Sequence, residues 1–194
     1  MATLNTTNIK HASSSSNNIV LASDGSTTIS NLANRGKLLQ LLSVTKTDTA
    51  SVTDNATPQD ISGLSIAITP ASSSSKFYIT GKVQTSVWGT ANHSIHINVN
   101  GSLVGQPSAV GSRHLAHGGL GYISTGQQYA MYSTPIDFLV DASDANEHTI
   151  KLQFAQSATG FSRTLYVNRQ RTDSDSSSSG NRFASTLTVM EIAA

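Results

Sequence analysis

The sequence predicts an all-β chain: an antiparallel β-sandwich of jelly-roll type with an extended N-terminal arm. Three observations predict it. Apolar residues recur at every second position in run after run, as in Leu64, Ile66 and Ile68 or Ile95, Ile97 and Val99. That period belongs to strands with one buried and one wetted face. Turn signals separate the runs at short intervals, and no stretch reads as a convincing helix. Charged residues make up only 12% of the chain, so serine, threonine, asparagine and glycine carry its solubility, a profile suited to β surfaces.

Residues 1–36 form the arm. They are too polar to fold alone. Asp24-Gly25 lies between 18–22 and 26–30 and predicts a two-residue hairpin turn with positive φ. The apolar residues Ile9, Ile19, Val20, Leu21, Ile29 and Leu32 are too few for an independent core. The arm is therefore expected to order against its own domain, sister subunits or another protein. These six residues are the candidate attachment set.

Residues 37–194 form the sandwich. LLQLL at 38–42 runs into β-branched residues without a capping pattern, which predicts a strand. A polar connection over 47–59 leaves room for a short edge strand. The strand of Leu64, Ile66 and Ile68 turns at 72–75. In the next strand Phe77, Ile79, Gly81, Val83, Thr85 and Val87 point inward, and Lys76, Tyr78, Thr80, Lys82, Gln84 and Ser86 point outward. The outward aromatics Tyr78 and Trp88 suit a glycan, a neighbouring subunit or cover by the opposite sheet. Ile95, Ile97 and Val99 lead to Asn100-Gly101, a hairpin signal, with return through Leu103 and Val104.

A glycine-rich excursion follows at 106–121, carrying Arg113, His114 and His117. Loops of this length serve function or interfaces more often than not. Strands resume at 122–124, at 128–132 and in PIDFLV. After a turn at 141–147, Ile150, Leu152 and Phe154 face inward, then Leu165 and Val167. A second excursion carries Arg169, Arg171 and Arg182 with Asp173 and Asp175. ASTLTVMEIA closes the chain as a strand. Some nine or ten strands of this kind match an eight-stranded jelly roll.

Several functions are disfavoured. Net charge is +1 and the cations are scattered, which predicts no nucleic-acid partner. No apolar run approaches a membrane span of about 20 residues, and no signal-peptide pattern opens the chain. With no cysteine, stability must come from the core or from association. The sequons at Asn5, Asn55, Asn92 and Asn100 follow from composition. No nucleophile elbow, Walker loop or dinucleotide fingerprint is present, so neither an enzyme nor a cofactor is expected. His93 and His96 fall on opposite strand faces, poor for shared chelation. His114 and His117 read as solvent or interface residues rather than metal ligands. Asp173, Asp175 and Gly180 lack the closing glutamate of a calcium loop. The excursion residues Arg113, His114, His117, Arg169, Arg171 and Arg182 are the candidate recognition or interface set.

The ordered segments NIKHASSSSNNIVLASDGSTTI, GKLLQLLSVTKTDT, DISGLSIAITPASSSSKFYI, HTIKLQFA, LYVNRQRTDSD and STLTVMEIA resemble structural proteins of tailed bacteriophages. The likeness is to virion proteins of marine and cyanobacterial phages, usually labelled tail fibre or virion structural protein. It implies a β-sandwich assembling as a homotrimer in the virion, with an N-terminal segment that attaches it to tail, connector or capsid proteins. It implies no catalytic residues. A host-surface glycan is the partner expected of a fibre or adhesion protein. The alternative role is a capsid decoration, cement or head-fibre protein that stabilises the head.

Overall fold

A computed structural model of the chain describes residues 7–10, 12–13, 15, 19–25, 27–29, 36–53, 55–88, 92–120, 129–156 and 163–194, with Thr28, Ile29 and Trp88 described in backbone only. The chain divides into two compact units, Met1–Arg35 and Gly36–Ala194.

In the first unit β1 (Asn8–Ile9), β2 (Ile19–Leu21) and β3 (Thr27–Ile29) form an antiparallel meander in the order β1-β2-β3. Its register places Ile9, Ile19 and Ile29 in one cross-strand row. The β2–β3 hairpin is present, but its turn is longer than two residues. The strands close at Leu21 and Thr27. Gly25 N–H donates to the Ala22 carbonyl at 3.1 Å. Gly25 is left-handed, with φ 84°, whereas Asp24 is not among the residues of positive φ. A two-residue type I′ turn needs two such residues, and here one is supplied. Leu32 lies outside the described residues.

The second unit contains β4 (Leu38–Lys46), β5 (Ala50–Thr53), β6 (Gln59–Ile68), β7 (Lys76–Trp88), β8 (His93–Val99), β9 (Ser102–Val104), β10 (Gly118–Leu120), β11 (Tyr132–Asp141), β12 (His148–Gln156), β13 (Thr164–Val167) and β14 (Ser185–Ile192). No helix occurs among the described residues. The pairing is that of one long hairpin that has been rolled up. Four antiparallel pairs make the hairpin: β4 with β14, β6 with β12, β7 with β11, and β8 with β9 and β10. Rolling then brings β14 beside β7 and β12 beside β8. The result is two antiparallel sheets packed as a jelly-roll sandwich. The short pair β5–β13 extends one sheet past the end of β14, where β7 changes partner from β14 to β13.

The core lies between the sheets. Leu64, Ile66, Ile68, Phe77, Ile79, Val83, Ile95, Ile97, Ile150, Leu152, Leu165 and Val167 are all buried there, as their alternation predicts. Ile136 is buried, and Phe138 and Val140 pack against the same cluster. The Asn100-Gly101 turn has φ 50° and 86°, the two left-handed residues its code requires. Gly81, in mid-strand, allows a close approach. A Cβ there would sit 2.2 Å from the Thr186 carbonyl oxygen of β14.

Two expectations need correction. The outward face of β7 is wetted only at its start. Gln84 and Ser86 are buried, because β7 outlasts β14 and the chain after β13 closes on it. Asn168 N–H donates to the Gln84 carbonyl and the Ser86 hydroxyl to the Arg169 carbonyl. Of the strand expected at 128–132, Gln128 lies outside the described residues, and of 129–132 only Tyr132 belongs to a strand, β11, while the Tyr129 carbonyl accepts from the Gln170 side chain. The strand expected at 122–124 lies outside the described residues.

Candidate functional site

The first excursion interrupts a strand. β9 ends at Val104 opposite Ile97, and β10 begins at Gly118 opposite Ile95. Both lie along the same edge of β8, so residues 105–117 are inserted opposite His96 alone. The neck of the insertion is tied to the sheet. Gln106 Nε2 donates to His96 Nδ1 at 3.1 Å and to the Leu115 carbonyl at 3.0 Å. His96 Nε2 therefore carries the proton and donates to Ser94 Oγ at 2.9 Å. His117 N–H donates to the Ile95 carbonyl, and its ring meets Phe138 edge-on. His93 and His96 do fall on opposite faces, and both are buried. Burial, with Arg163 nearby, pushes His93 down to about 4. Burial, with His114 nearby, also lowers His96.

Beneath the head of the insertion lies an open cleft of about 520 Å³, between Pro107, Ser112, Arg113, His114 and Ala116 on one side and Asn92, Ser94 and β10 on the other. Arg113 and His114 are exposed at its rim. Arg113 Nη1 donates to the Val110 carbonyl at 3.2 Å, and among the described residues no carboxylate lines the cleft. His117 does not join them. It is turned toward β11, where its Nε2 accepts from Asp137 N–H.

The second excursion is closed on itself. Asp173 accepts from Arg182 at 2.8 Å and pairs with Arg169 at 3.3 Å. The Arg169 guanidinium also stacks over the Tyr166 ring at 4.0 Å. Arg171 is half-buried. At the root of the loop, Asn168 is left-handed, with φ 63°, and fully buried. Its Nδ2 donates to the Lys46 and Asp48 carbonyls, and its Oδ1 accepts from Ser185 Oγ at 2.6 Å. Ser185 Oγ in turn accepts from Gln84 N–H. Sequence reasoning missed Asn168, Gln106 and His96 as anchors. The signal available for Asn168 was an asparagine directly after an alternating strand, a residue that tolerates left-handed φ.

A third feature lies on the outer face of the sheet β4-β14-β7-β11. Register aligns Leu41, Met190, Tyr78 and Leu139 in one row. Leu41 is 49% and Leu139 50% exposed. The arm residues Ile9 and Leu21 are likewise exposed, and Ile19 and Val20 are half-buried.

No protein-family model matches the chain, and no curated protein sequence does. Among solved structures, chains from infectious bursal disease virus are similar. For strain Gx the TM-score is 0.37 at 16% identity, covering 79% of this chain and 38% of that chain. For the T13 particle it is 0.40 at 14% identity, covering 80% and 36%. For T=1 particles derived from the virus it is 0.31 at 11% identity, covering 79% and 36%. This chain thus spans well under two thirds of the length of those it matches. The jelly-roll assignment rests on the strand pairing itself.

Proposed function

We propose that the chain is a structural, non-enzymatic component of a tailed-phage virion: a homotrimeric fibre- or adhesion-type protein attached through its N-terminal arm. The observation that carries a structural role is the row Leu41–Met190–Tyr78–Leu139. A single exposed leucine needs no explanation, but a row of three apolar side chains and a tyrosine crossing four strands of one sheet marks an assembly surface. Leu38, 50% exposed and paired with Ile192, continues it. Sister copies cover this face. The arm, with its exposed isoleucine, finds its partner in the particle. The resemblance of the ordered segments to structural proteins of tailed phages supports the phage context.

Light scattering should give about three times the 20.3 kDa chain mass. Leu41→Asp with Leu139→Asp should leave a folded β domain that no longer trimerises. A monomeric wild-type protein at micromolar concentration would sink the homotrimer. A decoration or cement protein would use the same arm as a clamp. Copy number per particle, far higher for a decoration protein, separates the two readings.

A further inference from the structure

We propose that the cleft under the first excursion binds an acidic saccharide, with its carboxylate held by Arg113. The proposal deepens the adhesion reading and takes its biological purpose from it, but the binding is measurable without it.

Three features converge. The first is an unneutralised guanidinium. Arg113 is exposed at the cleft rim and, among the described residues, is tied to a carbonyl, while Arg169 and Arg182 share Asp173. With no carboxylate among the described lining residues, a bound anion has nothing negative there to displace, and guanidinium matches carboxylate in a two-point fork. His114 beside it adds a further donor.

The second is the character of the walls. Pro107 and Leu120 offer apolar surface, and Asn92 and Ser112 offer amide and hydroxyl groups. A sugar ring presents apolar C–H faces and hydroxyl edges together. Free phosphate would use the arginine and leave the apolar wall uncovered. A volume of about 520 Å³ suits one or two rings.

The third is stiffness. Gln106 and His117 fix both ends of the insertion to β8. The neck of the insertion is thus fixed beside the cleft before a ligand arrives, which lowers the ordering cost of binding.

The test uses the intact protein and three probes: methyl β-glucuronide, methyl β-glucoside and inorganic phosphate, with affinities read by ligand-observed NMR titration. The glucuronide should bind roughly ten-fold more tightly than either other probe, the increment a good charge-assisted pair supplies. Arg113→Gln should abolish the preference, and Arg113→Lys should retain part of it. Arg113 is exposed, so both variants should fold. His114→Gln provides an independent variant and should weaken glucuronide binding several-fold. Equal binding of the two glycosides, phosphate binding as tight as the glucuronide, or no binding at all would each overturn the proposal. Light scattering on the same samples keeps the outcomes apart. Loss of saccharide binding with an intact trimer leaves the structural reading standing, and the converse leaves the cleft standing.

Discussion

The two excursions look alike in sequence and are built in opposite ways. Both are small-residue loops that carry arginines. The first, at 105–117, is rooted by a histidine: His96 accepts from Gln106, and among the described residues no carboxylate lines the cleft beneath Arg113. The second, at 169–182, is rooted by an amide: Asn168 ties β4, β7 and β14 together, and Asp173 neutralises two arginines. The difference teaches that an arginine in a loop says little about recognition. What matters is whether a local carboxylate already occupies it. The roots differ in chemistry as well, since an amide does not titrate and an imidazole does.

The largest expected effect comes from breaking the amide root. Asn168→Ala strands the buried Lys46 carbonyl, removes the acceptor of Ser185 and forces alanine into left-handed backbone. Each unsatisfied buried group costs about 1–3 kcal/mol, and the backbone roughly 1–2 more. A total near 4 kcal/mol should appear as a lower urea midpoint at fixed protein concentration. A loss under about 1 kcal/mol would show that the junction is held by packing alone.

The histidine side of the comparison is sharpened by pH. Burial holds the folded-state value of His93 at about 4, against an ordinary 6.5. The unfolded chain therefore binds the proton more readily. Stability is fully present above pH 6.5 and is lost as pH falls from 6.5 toward 4. A shift of that size corresponds to about 3 kcal/mol. The lowered His96 adds to the loss as pH falls below 6.5, and its protonation also removes the acceptor that holds Gln106. Acid should thus expose 105–117 to protease before 169–182. His93→Leu should flatten most of the stability slope between pH 6.5 and 4. An unchanged slope would assign it to other groups.

Much of the body was legible because a period of two declares which side chains face the core. The inward residues of β6, β7, β8, β12 and β13 are buried as their spacing predicts. The two-residue turn at Asn100-Gly101 was legible because both residues tolerate left-handed φ. The broken strand was not: β9 and β10 have three residues each, too few to show a period. The apolar outer row was hidden for another reason. Leu41, Met190, Tyr78 and Leu139 come from four strands, and only the register brings them together. The candidate recognition residues were legible as loop cations. Which of them is neutralised depends on where the fold places Asp173.

The smallest expected change in stability belongs to the substitution that erases the difference between the loops. Asp173 is left-handed, with φ 47°, a conformation asparagine also accepts. Asp173→Asn therefore keeps the loop's shape and removes its charge. Partly exposed ion pairs of this kind contribute about 0–1 kcal/mol, so the melting temperature should barely move. Arg169 and Arg182 would then lose the carboxylate they share, with Asp175 still lining the same loop. Phosphate affinity should rise at this loop by a few-fold, in a salt-dependent manner. Preference for glucuronide over glucoside should not appear there, because the second loop is lined by serines, Asn181 and charged residues and offers no apolar wall like that of Pro107 and Leu120. The measurement is made in the Arg113→Gln background, so that only the second loop responds. A glucuronide preference in that double variant would mean that a free arginine is sufficient and that the walls of the first cleft select nothing.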